Sequence, residues 1–208
     1  MMKIIVPSAQ YDIKADNRIL IPFIEFDKIG FVDQNANVVV KAKYTCYEGE
    51  MLDEGSLIIV AKNYLHGYER KNSAPAVYCK PIYGLMNSKG EEVVELKYFR
   101  LLAPKNGSSL YAAQNMEYQS GAIDEFGNEV IPFGKYHYVD QFYNGHARIT
   151  VYDEASSREK WGMINESGNV IIPPIYDSLS TYVDREVLDL VKEIRENKSA
   201  PWEDINLD

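Results

Sequence analysis

Cysteine and long apolar runs are scarce in this chain of 208 residues. Its two cysteines, Cys46 and Cys79, are not spaced like metal ligands, and a disulfide between them is the alternative to two packed free thiols. We prefer the free thiols, which indicate a reducing compartment. No apolar run approaches the length of a membrane span, and the N-terminus lacks the apolar segment of a signal peptide. We therefore expect a cytoplasmic protein that does not enter a membrane.

Basic residues are also fewer than acidic ones. The chain has 22 Lys and Arg against 31 Asp and Glu, which gives a formal net charge of −9. A nucleic-acid-binding protein needs clustered basic residues to neutralise phosphates, so this composition predicts no nucleic-acid partner. An acidic surface instead favours solubility or attracts a basic partner protein. The remaining composition, 46% hydrophobic and 25% charged, is ordinary for a globular protein with one sizeable core or two small ones.

Recognisable catalytic motifs are missing as well. The sequence contains no nucleophile elbow, dinucleotide-binding glycine motif, Walker motif or His-Glu-x-x-His metal motif. His137, Asp140 and His146 could form a metal or acid–base group, but their spacing is not diagnostic, and we prefer structural roles for them. The sequence therefore predicts a protein that is not an enzyme and has no catalytic residues, cofactor or metal site.

A repeated pattern is what the sequence does contain. A glycine, here called the anchor glycine, recurs four times, and Asp or Asn follows it after three residues. A second glycine comes three residues later in three copies, and a tyrosine lies 14 or 15 residues beyond the anchor. The copies are Gly30, Asp33, Ala36 and Tyr44; Gly84, Asn87, Gly90 and Tyr98; Gly121, Asp124, Gly127 and Tyr136; and Gly162, Asn165, Gly168 and Tyr176.

Each copy predicts a three-stranded β-meander of about forty residues. The anchor glycine lies in a short apolar run, and Asp/Asn-x-x-Gly suits a type I turn with a bulge, whose last residue takes a positive φ. The return strand is rich in β-branched residues, and a third apolar run follows the tyrosine. Because one meander cannot bury its own face, neighbouring copies must pack against one another.

The best-preserved copy, from Lys160-Trp161-Gly162 to Tyr176-Asp177, resembles the unit of the WG-repeat proteins. The other copies are more degenerate, and the tryptophan position holds Ile29, Tyr83 or Ser120. The resemblance covers most of residues 1 to 180. It implies an all-β interaction scaffold without shared catalytic residues. An open array and a closed barrel-like or propeller-like arrangement both fit this pattern.

The copies also define the organisation of the chain. Residues 1–27 match half a repeat, residues 28–181 form the WG-like repeat region, and residues 199–208 form an acidic tail. Between the last two, apolar residues at helical spacing predict an amphipathic helix over residues 182–198. These residues are Val183, Val187, Leu190, Val191 and Ile194. We expect this helix to cover an open sheet edge or apolar face rather than to bind a partner.

Residues 62–80 interrupt the repeat period, because the first two anchor glycines, Gly30 and Gly84, are farther apart than the later ones. We interpret the segment as an insertion loop, with a β-hairpin extension as the alternative. It holds four basic residues against one acidic residue in an acidic chain. Loops that break a repeat often carry function. Since Tyr and Arg are enriched among interface hot spots, the predicted partner-binding residues are Tyr64, Tyr68, Arg70 and Tyr78.

These features favour a non-catalytic protein-binding or scaffold repeat protein. A sharper version is an immunity-like or antitoxin-like inhibitor of a basic partner. Two alternatives remain: a hydrolase-like enzyme with a loop-built site around Asp140, His146 and Glu154, and a carbohydrate-binding module that uses exposed Tyr and Trp. Polar residues converging in a concave pocket would favour the enzyme, and a row of exposed aromatic residues would favour the carbohydrate-binding module. A flat acidic face with residues 62–80 at its rim would favour protein binding.

Overall fold

The computed structural model describes residues 3–4, 17–68 and 76–179, and all regular elements within them are β-strands. The prediction of an all-β fold is therefore confirmed. The predicted helix over residues 182–198 and the acidic tail lie outside the described residues. No helix that could cross a membrane occurs in the part of the chain that the structure describes.

Within the described residues, sixteen strands form four antiparallel sheets, and strands that are consecutive in sequence are neighbours in each sheet. The first sheet contains β1 (Lys3–Ile4), β2 (Ile21–Glu25), β3 (Lys28–Val32) and β4 (Val38–Tyr44). The second contains β5 (Cys46–Glu48), β6 (Leu57–Tyr68), β7 (Ala76–Asn87) and β8 (Glu92–Tyr98). The third contains β9 (Arg100–Leu102), β10 (Tyr111–Gln114), β11 (Ser120–Ile123) and β12 (Glu129–Tyr136). The fourth contains β13 (Tyr138–Val139), β14 (His146–Asp153), β15 (Arg158–Asn165) and β16 (Val170–Tyr176).

The sheets have four strands, whereas the repeat pattern predicts three. The difference arises just after the repeat tyrosine, where the return strand breaks for one residue and continues as a short strand of the next sheet. Each junction residue donates its backbone N–H to a carbonyl oxygen of the following long strand. These bonds join Thr45 to Ala61, Phe99 to Gln114 and His137 to Thr150, at 2.8, 2.8 and 2.9 Å. Strands of two or three residues are too short to show a hydrophobic period.

The anchor glycine lets two adjacent strands approach closely. A β-carbon added to any of the four would lie only 2.4 to 2.7 Å from the carbonyl oxygen of the residue ten positions later. The four pairs are Gly30 with Val40, Gly84 with Val94, Gly121 with Ile131 and Gly162 with Ile172. The strand register shifts around this position in every sheet, so the anchor glycine marks a recurrent β-bulge.

The turn prediction is also confirmed. Gly90, Gly127 and Gly168 have φ angles of 80°, 83° and 76°, and Ala36 adopts the same left-handed conformation at 63°. The Asp or Asn that begins the turn accepts two backbone N–H groups through its Oδ1 atom, which satisfies donors that the turn leaves unpaired. Asp33 bonds Asn35 and Asn37, Asn87 bonds Lys89 and Glu91, and Asn165 bonds Ser167 and Asn169, at 2.8 to 3.0 Å.

The chain divides into two compact units, each of which buries apolar side chains. The first unit comprises residues 1–103, 113–118 and 125–128, and the second comprises the remainder. One core cluster of the first unit joins the first two sheets, and each large apolar side chain that it buries contributes about 1.5–3 kcal/mol to stability. Its members are Leu20, Phe31, Val40, Tyr44, Met51, Ile58, Val60 and Met86. In the second unit Ile123, Ile131, Phe142 and Ile149 are fully buried.

Candidate interaction surface

The β6–β7 hairpin occupies the segment that interrupts the repeat period. Its register runs without a break from Leu57 opposite Asn87 to Tyr68 opposite Ala76. The hairpin extension that the sequence left as an alternative is therefore present in residues 62–68 and 76–80, and the interpretation of the whole segment as a loop is wrong for these residues. The hairpin is longer than its neighbouring strand, because β5 pairs with β6 only up to Ala61, opposite Cys46.

On the β7 side, the extension also continues past the neighbouring strand of the sheet. Strand β8 pairs with β7 no farther than Tyr83, which lies opposite Tyr98. Among the described strands, none pairs with residues 62–68 or 76–82 from outside the hairpin. The extension is therefore a two-stranded ribbon, an element that is marginally stable on its own in water.

Three of the four predicted partner-binding residues lie on this ribbon. Tyr64 and Tyr68 belong to β6 and Tyr78 belongs to β7, whereas Arg70 lies outside the described residues. The register pairs Tyr64 with Lys80, His66 with Tyr78 and Tyr68 with Ala76. Because alternate residues of a strand share a face and directly opposed residues lie side by side, these positions belong to one face of the ribbon.

Lys62, at the base of the ribbon, takes part in an ionic cluster around Glu92. The Glu92 Oε1 atom accepts hydrogen bonds from Lys43 Nζ at 2.8 Å, from the Tyr44 hydroxyl at 2.8 Å and from Lys62 Nζ at 3.2 Å. Both ammonium groups also lie over the Tyr44 ring, 5.0 and 5.4 Å from its centroid. Because Tyr44 belongs to the first repeat copy and Glu92 to the second, the cluster ties two copies together.

The Glu92 cluster shifts the pKa of both acidic groups. Burial alone would raise the pKa of Glu92, but the hydrogen bonds from Lys43, Tyr44 and Lys62 lower this pKa to about 2. Burial is the main cause that raises the pKa of the Tyr44 hydroxyl, and the hydrogen bond to Glu92 raises it further. At neutral pH the cluster therefore holds a carboxylate and a neutral phenol, which suits a structural clamp between copies.

Lys80 lies on the same ribbon face and contacts two aromatic rings. Its Nζ atom is 4.9 Å from the centroid of Phe99 and 5.0 Å from that of Tyr118. It also donates a hydrogen bond to the Tyr118 hydroxyl. The two rings meet edge to face with centroids 4.8 Å apart. We call Phe99 and Tyr118 the aromatic corner.

Two hairpin tips of the first unit carry exposed aromatic side chains on strained backbone. Phe26 and Asp27 form the β2–β3 tip with φ angles of 48° and 60°, the combination of a type I′ turn that usually holds Asn or Gly. Phe26 is 91% exposed. Tyr118, at the β10–β11 tip, has a φ of 64° and is 53% exposed. Bulky residues with positive φ are uncommon, and such strain often marks functional positions.

His137, Asp140 and His146 engage three separate partners. His137 Nδ1 lies 2.8 Å from a carboxylate oxygen of Glu159, and Asp140 pairs with the Arg148 guanidinium. His146 is buried, and this burial lowers its pKa although a hydrogen bond with the Asn144 backbone opposes the effect. Among the described residues, no group of three or more His, Cys, Asp and Glu side chains is arranged to hold a metal ion.

Arg148 connects this region to the tryptophan of the best-preserved copy. Its guanidinium lies 4.9 Å from the Trp161 ring centroid, and its Nε donates to the Oδ2 atom of Asp140 at 3.0 Å. A second guanidinium nitrogen donates to the Leu179 carbonyl oxygen at 2.9 Å. Asp140 therefore orients an arginine that covers the tryptophan and fixes the chain beyond β16, which is a structural role.

Sequence reasoning missed the aromatic corner and the Glu92 cluster. A signal for the corner exists, because Phe99 is an aromatic residue directly after the repeat tyrosine Tyr98. Tyr118, however, lies outside the positions that the repeat pattern defines, and its contact with Lys80 depends on the register of the ribbon strands. Glu92 lies eight residues after its anchor glycine, a position that is Val38, Glu129 and Val170 in the other copies, so the repeat pattern does not single it out.

Comparison with known proteins agrees with the repeat pattern. The family model of the WG-containing repeat matches residues 83–114, 121–155 and 161–184. These stretches correspond to the copies anchored at Gly84, Gly121 and Gly162, and the copy at Gly30 shows the same bulge and turn geometry. No curated protein and no solved structure matches the chain significantly. The three matched stretches, together with the four sheets built on one pattern, show that residues 83–184 carry WG-containing repeats.

Proposed function

We propose that this WG-repeat protein is a non-catalytic protein-binding module whose main contact element is the ribbon formed by residues 62–68 and 76–82. The observation that carries the proposal is the length of the β6–β7 hairpin beyond its neighbours. The register continues for eight pairs past Val60 and Gly84, against two pairs past the equivalent position in the β2–β3 hairpin. Among the described strands, none outside the hairpin pairs with the ribbon, so an external partner accounts for it better than the stability of the fold does.

The ribbon offers a partner two kinds of contact. Its outer backbone groups can pair with an extended segment, as in strand addition to an exposed edge. Its face holds the positions of Tyr64, Tyr68 and Tyr78, and tyrosine supplies a large contact area at a low cost in side-chain entropy. Arg70 follows β6 and adds a multidentate donor in the sequence between the two strands.

The partner is proposed to be a basic protein, and the chain to act in the cytoplasm as an immunity-like or antitoxin-like inhibitor. The net charge of −9 supports this finer proposal, because an acidic surface accelerates the approach of a basic partner. The ribbon would then form the contact itself, and the acidic remainder would steer the encounter. Such an inhibitor acts by covering its partner and requires no chemistry of its own.

The test begins with a pull-down from the native lysate, with mass spectrometry to identify what binds. In a second step, residues 64–78 are replaced by a short Gly/Ser linker, and the affinity of each recovered protein is measured by calorimetry. As a matched control, residues 154–157 at the β14–β15 tip are replaced by Gly and Ser. We expect the ribbon variant to lose at least tenfold in affinity, because several hot-spot residues are removed, and the control to keep its affinity. Unchanged affinity in a folded ribbon variant would refute the proposal.

A further inference from the structure

The aromatic corner has the geometry of a site for an ammonium group. An ammonium within about 6 Å of a ring centroid is attracted by the electrons of the ring face, and here a single ammonium meets that condition for two rings. The Lys80 Nζ atom satisfies it at 4.9 and 5.0 Å and also bonds the Tyr118 hydroxyl. The ammonium group of Lys80 already occupies the corner, which indicates that the corner can bind an alkylammonium group.

Tyr118 is held in this position at an energetic cost. A non-glycine residue with positive φ carries backbone strain, and Tyr118 has a φ of 64°. Two hydrogen bonds fix its backbone: its N–H donates to the Asn115 carbonyl oxygen at 3.0 Å, and its own carbonyl accepts from Gln114 Nε2 at 2.9 Å. A third contact, from Glu117 N–H to Asn115 Oδ1 at 3.0 Å, closes the turn. The ring is thus preorganised although it is half-exposed.

We propose that Phe99 and Tyr118 bind a lysine side chain of the partner protein, and that Lys80 is a resident occupant which the partner's lysine displaces. This inference rests on the proposed function only for the origin of the lysine, because the corner itself can be tested with peptides. Displacement is feasible because a cation–π contact at an exposed site is weak. A partner that also contacts the ribbon can supply the free energy that displacing Lys80 requires.

Two features make a basic partner the appropriate occupant. The corner selects an alkylammonium over an anion, since its rings present their negative faces and its hydroxyl can accept a hydrogen bond. The chain as a whole has a net charge of −9, which raises the local concentration of basic segments. Lys80 lies on the ribbon that we propose as the contact element, so the partner reaches the corner when it binds there.

The test uses three synthetic peptides of seven residues that differ only at the central position. That position holds lysine, Nε-trimethyllysine or norleucine, which has a similar apolar chain without the charge. Binding is measured by NMR titration with the full chain, with Lys80→Met, which vacates the corner and keeps the apolar stem, and with the double variant Lys80→Met/Phe99→Leu. Thermal melting of each variant confirms folding, and Lys80→Gln replaces Lys80→Met if the latter does not fold.

We expect Lys80→Met to bind the lysine and trimethyllysine peptides about fivefold more tightly than the norleucine peptide, as a contact of about 1 kcal/mol implies. The full chain should bind the charged peptides more weakly than Lys80→Met does, and Phe99→Leu should remove the preference for charge. Equal affinity of Lys80→Met for charged and norleucine peptides would overturn the inference. This outcome is independent of the ribbon replacement, which leaves Lys80, Phe99 and Tyr118 in place.

Discussion

Ala36 and Gly90 occupy the same turn position in successive copies, and a contact with the preceding copy constrains Gly90. Both have positive φ, at 63° and 80°. A β-carbon on Gly90 would lie 2.4 Å from a methyl carbon of Val40, which belongs to the preceding copy. The corresponding distances are 3.3 Å from Gly127 to Val94 and 3.1 Å from Gly168 to Ile131. The turn glycine therefore serves both the backbone conformation and the packing of one copy on the next.

Substitutions at these two positions should change stability in opposite directions. Ala36→Gly relieves the left-handed strain of a non-glycine residue and should raise the free energy of unfolding by about 0.5–1 kcal/mol. Gly90→Ala introduces strain and a steric clash, and it should lower this free energy by about 2 kcal/mol or more. Urea denaturation followed by circular dichroism measures both. A stabilised Gly90→Ala variant would contradict the packing account.

The charge of Glu92 predicts a pH dependence of stability. Its pKa is about 2 in the folded chain, below the ordinary value of 4.5. A folded-state pKa that lies below the unfolded value stabilises the fold fully above about pH 4.5, and this contribution disappears as the pH falls toward 2. Glu92→Gln should therefore lower the melting temperature at pH 7 and lower it much less at pH 2.5, where most of the contribution is lost. Equal losses at both pH values would show that shape, rather than charge, matters at this position.

At the scale of the element, the third and fourth copies reveal what happens when the clamp is incomplete. Tyr136 is equivalent to Tyr44 and is buried under Lys135, whose Nζ atom lies 5.3 Å from the ring centroid. Val170 stands where the second copy has Glu92, and the Tyr136 hydroxyl finds no hydrogen-bond partner among the described residues. A buried hydroxyl without a partner costs about 1–3 kcal/mol.

Restoring the acceptor should stabilise the chain. Val170→Glu places a carboxylate at the position that bonds the tyrosine hydroxyl in the earlier copy, and we expect a gain of about 1 kcal/mol in the free energy of unfolding. The control is Tyr136→Phe, which should itself raise the free energy of unfolding by about 1–3 kcal/mol, because it removes a buried hydroxyl that has no partner among the described residues. In a double-mutant cycle the gain from Val170→Glu should disappear on the Tyr136→Phe background. A gain that persists there would refute the clamp geometry.

The repeat turns were predictable from sequence because each depends on residues within seven positions of one another. Asp33 and Ala36, for example, determine a turn through their own side chain and backbone conformation. The anchor glycines were visible as a pattern, but their reason was not, since Gly30 is constrained by the carbonyl oxygen of Val40 in the paired strand. Local signals therefore locate the turns, and the need for glycine at the bulge follows from strand pairing.

Elements that depend on register were harder to predict. The ribbon has no apolar alternation that distinguishes it from a loop, and residues such as His66, Gly67 and Tyr78 are compatible with either. Its pairing extends from a strand pair whose inner part is buried, for example at Val60. The aromatic corner follows from that register, which places Lys80 beside a tip that lies 38 residues later in sequence. Such contacts need the three-dimensional arrangement.

At the scale of the whole molecule, charge is distributed unevenly between the ribbon segment and the rest of the chain. Residues 62–80 contain four basic residues and one acidic residue, whereas the chain carries −9 in total. Long-range attraction follows the total charge, while short-range contact follows the residues at the interface. Added salt should therefore change the association rate and the dissociation rate by different amounts.

For a basic partner, raising the salt concentration from about 50 to about 500 mM should slow association by roughly tenfold and change dissociation much less. The reason is that salt screens the attraction before contact, whereas tyrosine contacts on the ribbon depend little on ionic strength. Stopped-flow or surface-plasmon measurements with the partner recovered by pull-down give both rates. A Lys71→Gln variant serves as the control, because it makes the chain more acidic without removing a proposed contact residue and should associate faster with a basic protein. An association rate that rises with salt would show that the chain and its partner repel each other at long range, and the proposal of a basic partner would then be wrong.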